Sequence, residues 1–106
     1  MAIDLAPKFS AVSVAVLGDN TLVAAVTAKK IRVLAVTLIT SAAVTVRFET
    51  GASGTALTGL MQIGANGGFV LPYSEGGWFE TNAGALLNLE LSAAESVDGC
   101  VVYQEI

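Results

Sequence analysis

Apolar and polar side chains alternate with a period of two over much of this chain, the spacing of a strand with one buried face. Within residues 43–50, Val44, Val46 and Phe48 point one way and Thr45, Arg47 and Glu49 the other. Within residues 86–92, Leu87, Leu89 and Leu91 alternate with Asn88, Glu90 and Ser92. In both segments the pattern predicts an apolar face on a core and a polar face in water. Residues 9–17 repeat it with Val12, Val14 and Val16 on one side and Ser13 and Ala15 between them. Residues 29–40 differ. Ile31, Val33 and Ala35 fall on one face and Leu34, Val36 and Leu38 on the other, as in a central strand covered on both sides.

Turn chemistry separates these runs. Gly18-Asp19-Asn20, Ser41-Ala42, residues 51–54, Gly64-Ala65-Asn66-Gly67, Gly76-Gly77, residues 82–84 and residues 97–99 carry the Gly, Asn, Asp and Ser that favour turns. Between them, residues 21–26, 55–63, 68–72, 78–81 and 100–106 read as further strands. Residues 83–95 contain helix-forming Leu, Ala and Glu, but the strict spacing of the leucines favours a strand. Eight or nine short strands and no long helix predict an all-β fold. The expected architecture is an antiparallel β-sandwich, jelly-roll-like, with a small barrel as the alternative closure. Residues 1–8 precede the first strand as an extended N-terminal arm, and residues 9–106 form one domain.

Composition sharpens this picture. Of the 106 residues 54% are hydrophobic and 13% charged, where a soluble domain averages about 25% charged, so disorder is excluded. The mean hydropathy of +0.70 raises the question of a membrane span. The longest uncharged window, residues 50–74, holds six glycines and Pro72, and a spanning helix needs about 20 consecutive apolar residues; no span is expected. No secretory leader is expected either, since residues 1–10 carry Asp4 and Pro7 and lack a basic segment followed by an apolar run. The net charge of −4 is unevenly spread. All five cations lie within residues 1–47, and residues 48–106 carry seven acids and no cation. If the two halves interleave in the sheets, opposite charges meet inside the fold.

Candidate chemistry is sparse. With no His, the Ser-His-Asp and Cys-His arrangements cannot be built, and no metal site, cofactor site or catalytic residue is expected. Cys100, the only cysteine, reads as a buried core filler. Glu75, Glu80, Glu90 and Glu95 are weighed as a glycosidase pair and read instead as solvated faces and turns. Lys29-Lys30-Ile31-Arg32 is a basic cluster without aromatic neighbours, a poor footprint for nucleic acid. Phe69, Tyr73, Trp78 and Phe79 lie within eleven residues and read either as core or as anchors of an interface. With Ile3, Leu5 and Pro7 of the arm they make the predicted interface set.

Two stretches carry a family resemblance. Residues 18–26 followed by Lys29-Lys30-Ile31-Arg32-Val33-Leu34, and later Ala65-Asn66-Gly67-Gly68, Pro72-Tyr73, Gly77-Trp78-Phe79, Leu86-Leu87-Asn88-Leu89 and Gly99 through Tyr103, resemble the small β-sandwich decoration (cement) proteins of tailed bacteriophages. The resemblance spans residues 10–106. It implies a structural virion protein, made in the host cytoplasm, that binds the outer surface of the capsid and stabilises contacts between capsomers. The implied partners are the major capsid protein and further copies of itself, as a homotrimer in preference to a homodimer, with no nucleic acid, membrane or cofactor. The alternative is a carbohydrate- or receptor-binding module of a phage tail or fibre.

Overall fold

The computed structural model describes residues 5–106; of the predicted interface set, Ile3 lies outside the described residues. Ten strands follow one another: β1 Lys8–Val14, β2 Gly18–Val23, β3 Ile31–Thr40, β4 Val44–Thr50, β5 Thr55–Ala56, β6 Met61–Ile63, β7 Gly68–Leu71, β8 Phe79–Glu80, β9 Leu87–Leu91 and β10 Val97–Glu105. The described residues form no helix, so the 83–95 segment is a strand flanked by turns.

The strands make two antiparallel sheets. The first runs β1-β10-β3, and its fourth lane is shared by β7 and β8, which pair with different parts of β3. The second runs β2-β9-β4, and its fourth lane is shared by β5 and β6 along β4. Ten segments thus occupy eight lanes. The chain passes from one sheet to the other as it winds inward from both ends, so that β9 and β10 lie beside the strands laid down first. That order is the jelly roll, an antiparallel β-sandwich as the alternation predicts.

The inner faces meet over Val12, Ile31, Val33, Val36, Leu38, Val46, Phe48, Leu87, Leu89, Leu91, Val97 and Val101, all buried. Phe48 and Phe79 pack ring on ring with centroids 4.9 Å apart. Ile31, Val33, Val36 and Leu38 of β3 all serve one core face, not two faces covered on both sides as the alternation predicts. Along its pairing with β10, Val102 is opposite Ala35 but Tyr103 is opposite Val33, so Leu34 is an extra residue in the ladder. A bulge of this kind reverses the parity of the strand. Before it Ile31 and Val33 face the core; after it Val36 and Leu38 do. Leu34 is itself fully buried but outside the central cluster, and its carbonyl accepts the N–H of Ser74 at 2.9 Å.

Several expected boundaries move. Gly18-Asp19-Asn20 opens β2 rather than forming a turn, because Asp19 and Asn20 pair with Glu90 and Leu89. Residues 97–99 likewise open β10, held between Val14 at the end of β1 and Thr40 at the end of β3. The expected strand over 55–63 is two short ones. Val16 does not join Val12 and Val14 in the core. The chain leaves the first sheet after Val14, and the Asn20 side chain fastens the crossing by accepting the Val16 N–H at 3.3 Å and donating to its carbonyl at 2.8 Å. Cys100 is exposed, not buried. Val97 and Val101 fix the inward parity of β10, and Cys100 falls on the other side.

Candidate functional site: the outer face of the first sheet

The two outward faces of the sandwich are chemically opposite. On the second sheet Asp19 of β2, Asn88 and Glu90 of β9, and Arg47 and Glu49 of β4 form one connected network. Asn88 donates to Asp19 and to Glu49, each at 2.8 Å, and its own side-chain oxygen accepts the Asn20 N–H. Arg47 donates to both Glu49 and Glu90. Asp19 also accepts the hydroxyl and the backbone N–H of Ser53, which folds residues 51–54 against this face. Glu49 and Asn88 are fully buried, a correction to the expectation that these polar positions face water. They point outward, but their neighbours cover them.

This network sets the charge states. Hydrogen bonds from Ser53 and Asn88 hold Asp19 below its ordinary value. Burial pushes Glu49 up, yet hydrogen bonds from Glu90, Arg47 and Asn88 outweigh it and leave Glu49 depressed. Glu90 is raised, because Glu49 lies beside it. On the first sheet's flank Glu80 receives Arg32 at 2.9 Å and Lys30 at 3.1 Å and is depressed by them in that order. Lys8 pairs with Glu105. In every one of these pairs, Arg47 with Glu49 and Glu90 included, a basic residue from positions 1–47 meets an acid from positions 48–106. Glu80 thus pairs with two of the three cations at residues 29–32, Lys30 and Arg32, and offsets one of their charges.

Beyond the Arg32–Glu80 pair, the outer face of the first sheet has no such network. The strand register lays its residues out in rows. Ala11 of β1 is opposite Cys100 of β10, which is opposite Thr37 of β3, which is opposite Val70 of β7. One row along the strands, Phe9, Val102 and Ala35 are aligned; on the other side come Ser13, Asp98 and Ile39. Phe9 is 83% exposed, Val70 62% and Ile39 57%. Asp98 is the one charge in these three rows. Pairing parity explains the surface: inward-facing apolar residues satisfy the core, and the intervening positions are also Phe, Ala, Val, Ile and Cys rather than Lys or Glu. The sequence signal was available in the residues between the predicted core positions of β1, β3 and β10, where charged side chains are few.

The predicted interface residues separate into groups. Phe69 and Phe79 are partly buried against the core. Tyr73 and Trp78 are exposed on the loop of residues 72–78, where the Trp78 indole N–H donates to the Pro72 carbonyl at 2.8 Å and its backbone N–H to Val33. Gly77 makes this turn at φ +82°, and a Cβ there would sit 2.5 Å from Cγ of Arg32. Leu5 and Pro7 are exposed, and the Leu5 carbonyl accepts the Gln104 side-chain amide at 2.7 Å. Leu5 and Pro7 are thus not on the aromatic loop. The exposed residues of the first sheet's outer face were not in the predicted set.

Two open grooves of about 450 and 440 Å³ flank β6, one beside Thr45, Gln62 and Ser92 and the other beside Met61, Ile63 and Phe69. No ionisable side chain lines either. Among the described residues no group of three or more His, Cys, Asp or Glu is placed to hold a metal ion, and no helix is long and apolar enough to cross a membrane. Comparison with known proteins adds no relative: no family model, no curated protein and no solved structure matches this chain.

Proposed function

We propose that this protein is a structural, non-enzymatic virion subunit, a decoration protein that attaches to the outer surface of a tailed-phage head through the outer face of its first sheet. The observation that carries the reading is the contrast between the faces. One is sealed by its own polar network, and the other presents sparsely charged, partly apolar strands with Phe9, Ile39 and Val70 exposed. Large apolar side chains exposed together on one sheet face mark a surface that meets a partner. The resemblance in residues 10–106 supplies the identity of the partner, the major capsid protein. The mechanism is passive. A subunit that binds the assembled lattice but not its separated parts stabilises the lattice by mass action, by about 2.7 kcal/mol per site at a hundredfold excess over its dissociation constant.

The test is to mix purified protein with undecorated heads of the phage that encodes it and sediment them. Protein in the pellet, with heads that rupture at a higher temperature, supports the reading. Protein left wholly in the supernatant refutes it. A second reading, a glycan-binding module of a tail or fibre, rests on Trp78: its ring is half exposed and held by the Pro72 carbonyl, as a stacking platform for a sugar requires. Glycan-array binding that disappears in Trp78→Ala favours it, and an array with no hits removes it.

A further inference from the structure

Of the four edges of the two sheets, three are broken. The fourth lane of the first sheet is split between β7 and β8 by residues 72–78, with Pro72 at the break. The corresponding lane of the second sheet is split between β5 and β6. Edge strand β2 carries Asp19, shifts register between Thr21 and Val23, and has its own approach occupied by the Asn20 amide, which bonds the carbonyls of Val16 and Gly18. Such interruptions are how sheets avoid open-ended pairing. Strand β1 has none of them. It pairs with β10 in unbroken register from Lys8–Tyr103 to Val14–Val97, and residues 9–17 hold neither a charge nor a proline. Among the described residues no strand pairs with its other edge.

We infer that β1 is a self-association strand, and that its occupant is β1 of a second copy of this chain, paired antiparallel about Ala11. The inference goes beyond the proposed function and does not depend on it. The strand is its own complement in this direction. Pairing centred on a residue keeps parity, so Ser10, Val12 and Val14 of both copies continue the core side while Phe9, Ala11 and Ser13 continue the outer side. Centring it between two residues would turn one copy's core face outward. The single charged residue of the strand, Lys8, lies at one end. Antiparallel pairing sends the two copies of Lys8 to opposite ends, whereas parallel pairing would bring them together. The strand's midpoint is Ala11, so all seven residues find partners.

The result is an isologous dimer whose twofold axis is normal to the sheet. Eight lanes then form one sheet, and both sparsely charged outer faces point to the same side. A surface bound by two such faces gains from their linkage without any new contact within either copy.

Sedimentation equilibrium over a concentration series tests this on the full chain. The wild type should dimerise reversibly. Ala11→Lys places like charges side by side at the axis but lies on an exposed position of the monomer, so it should weaken dimerisation about tenfold while the circular-dichroism spectrum is unchanged. An equimolar mixture of Ala11→Lys and Ala11→Glu should restore the dimer. In a separate arm, Ala11→Cys combined with Cys100→Ser, which removes the thiol directly opposite on β10, should form a disulfide-linked dimer under mild oxidation. A wild type that stays monomeric throughout overturns the inference, as does an oligomer that Ala11→Lys leaves intact. Head binding by a strictly monomeric protein would overturn this inference alone, and dimerisation without head binding would overturn only the functional reading.

Discussion

At the residue scale, the fold depends on a few positions whose neighbours leave no alternative. Gly99 is the sharpest. A Cβ there would stand 1.8 Å from the Thr37 carbonyl oxygen, at a φ of +152°, in the middle of the β10–β3 ladder. Gly99→Ala should therefore cost about 3 kcal/mol or more, whereas Gly76→Ala, with open space around it, should stay within about 0.5 kcal/mol; urea denaturation separates the two. Asn88 is the polar counterpart. It serves Asp19, Glu49 and the Asn20 N–H at once, and Asn88→Ala leaves the buried Asn20 N–H without its acceptor and removes one donor each from Asp19 and Glu49, at an expected cost of about 2–3 kcal/mol in the same measurement. Neither residue announces itself in the sequence. Gly99 reads as a turn glycine and Asn88 as one more solvated position, because the close approach and the shared network are made by residues distant along the chain.

At the scale of the elements, much was legible, and the misses have physical causes. The alternation in β4 and β9 identified their inward residues correctly, since each strand has one face on the core and the chain there is regular. The two-faced reading of β3 was wrong: the bulge at Leu34 turns Ile31 and Val33 to the same core face as Val36 and Leu38, and because it depends on the register with β10 it has no local signature. Leu34→Ala tests whether that residue anchors the 72–78 loop to β3: an expected loss of about 2–4 kcal/mol, with increased exposure of Trp78 seen in its fluorescence. A loss of stability with unchanged Trp78 emission would show that the loop stands without it. Cys100 was misread for the same reason as Asn88. Its neighbours on either side are apolar or small, and only the parity fixed by Val97 and Val101 tells which side of the sheet it takes.

At the scale of the whole molecule, the charge asymmetry of the sequence is largely resolved by the winding of the chain, which brings Lys8 to Glu105 and Lys30 and Arg32 to Glu80. The second sheet's network then controls the response to pH. Asp19 of that network and Glu80 on the first sheet are depressed, so their contributions are present above their ordinary values and fade as pH falls through the depressed ones. Glu90 is raised, so its contribution runs the other way: present when it is protonated, lost as pH rises through its raised value. Glu90→Gln, which keeps a donor beside Glu49 without the second charge, should raise the melting temperature at pH 7, and the gain should vanish on acidification once the wild-type group is protonated too. A lower melting temperature at pH 7 would mean that the Arg47 pairing outweighs the repulsion.

The candidate site was the least legible part, because aromatic residues drew attention to the 72–78 loop while the proposed docking face is made, Phe9 apart, mostly of small and aliphatic side chains spread over four strands. Cys100 sits in the middle of that face, exposed, and is the only thiol in the chain. The rate at which a maleimide reagent modifies it, free in solution and bound to phage heads, therefore reports directly on the surface in use. The account predicts rapid modification of the free protein and at least about tenfold slower modification of the bound protein, since the buried centre of an interface excludes solvent and reagent. Equal rates in the two states, with binding confirmed by sedimentation, would contradict it.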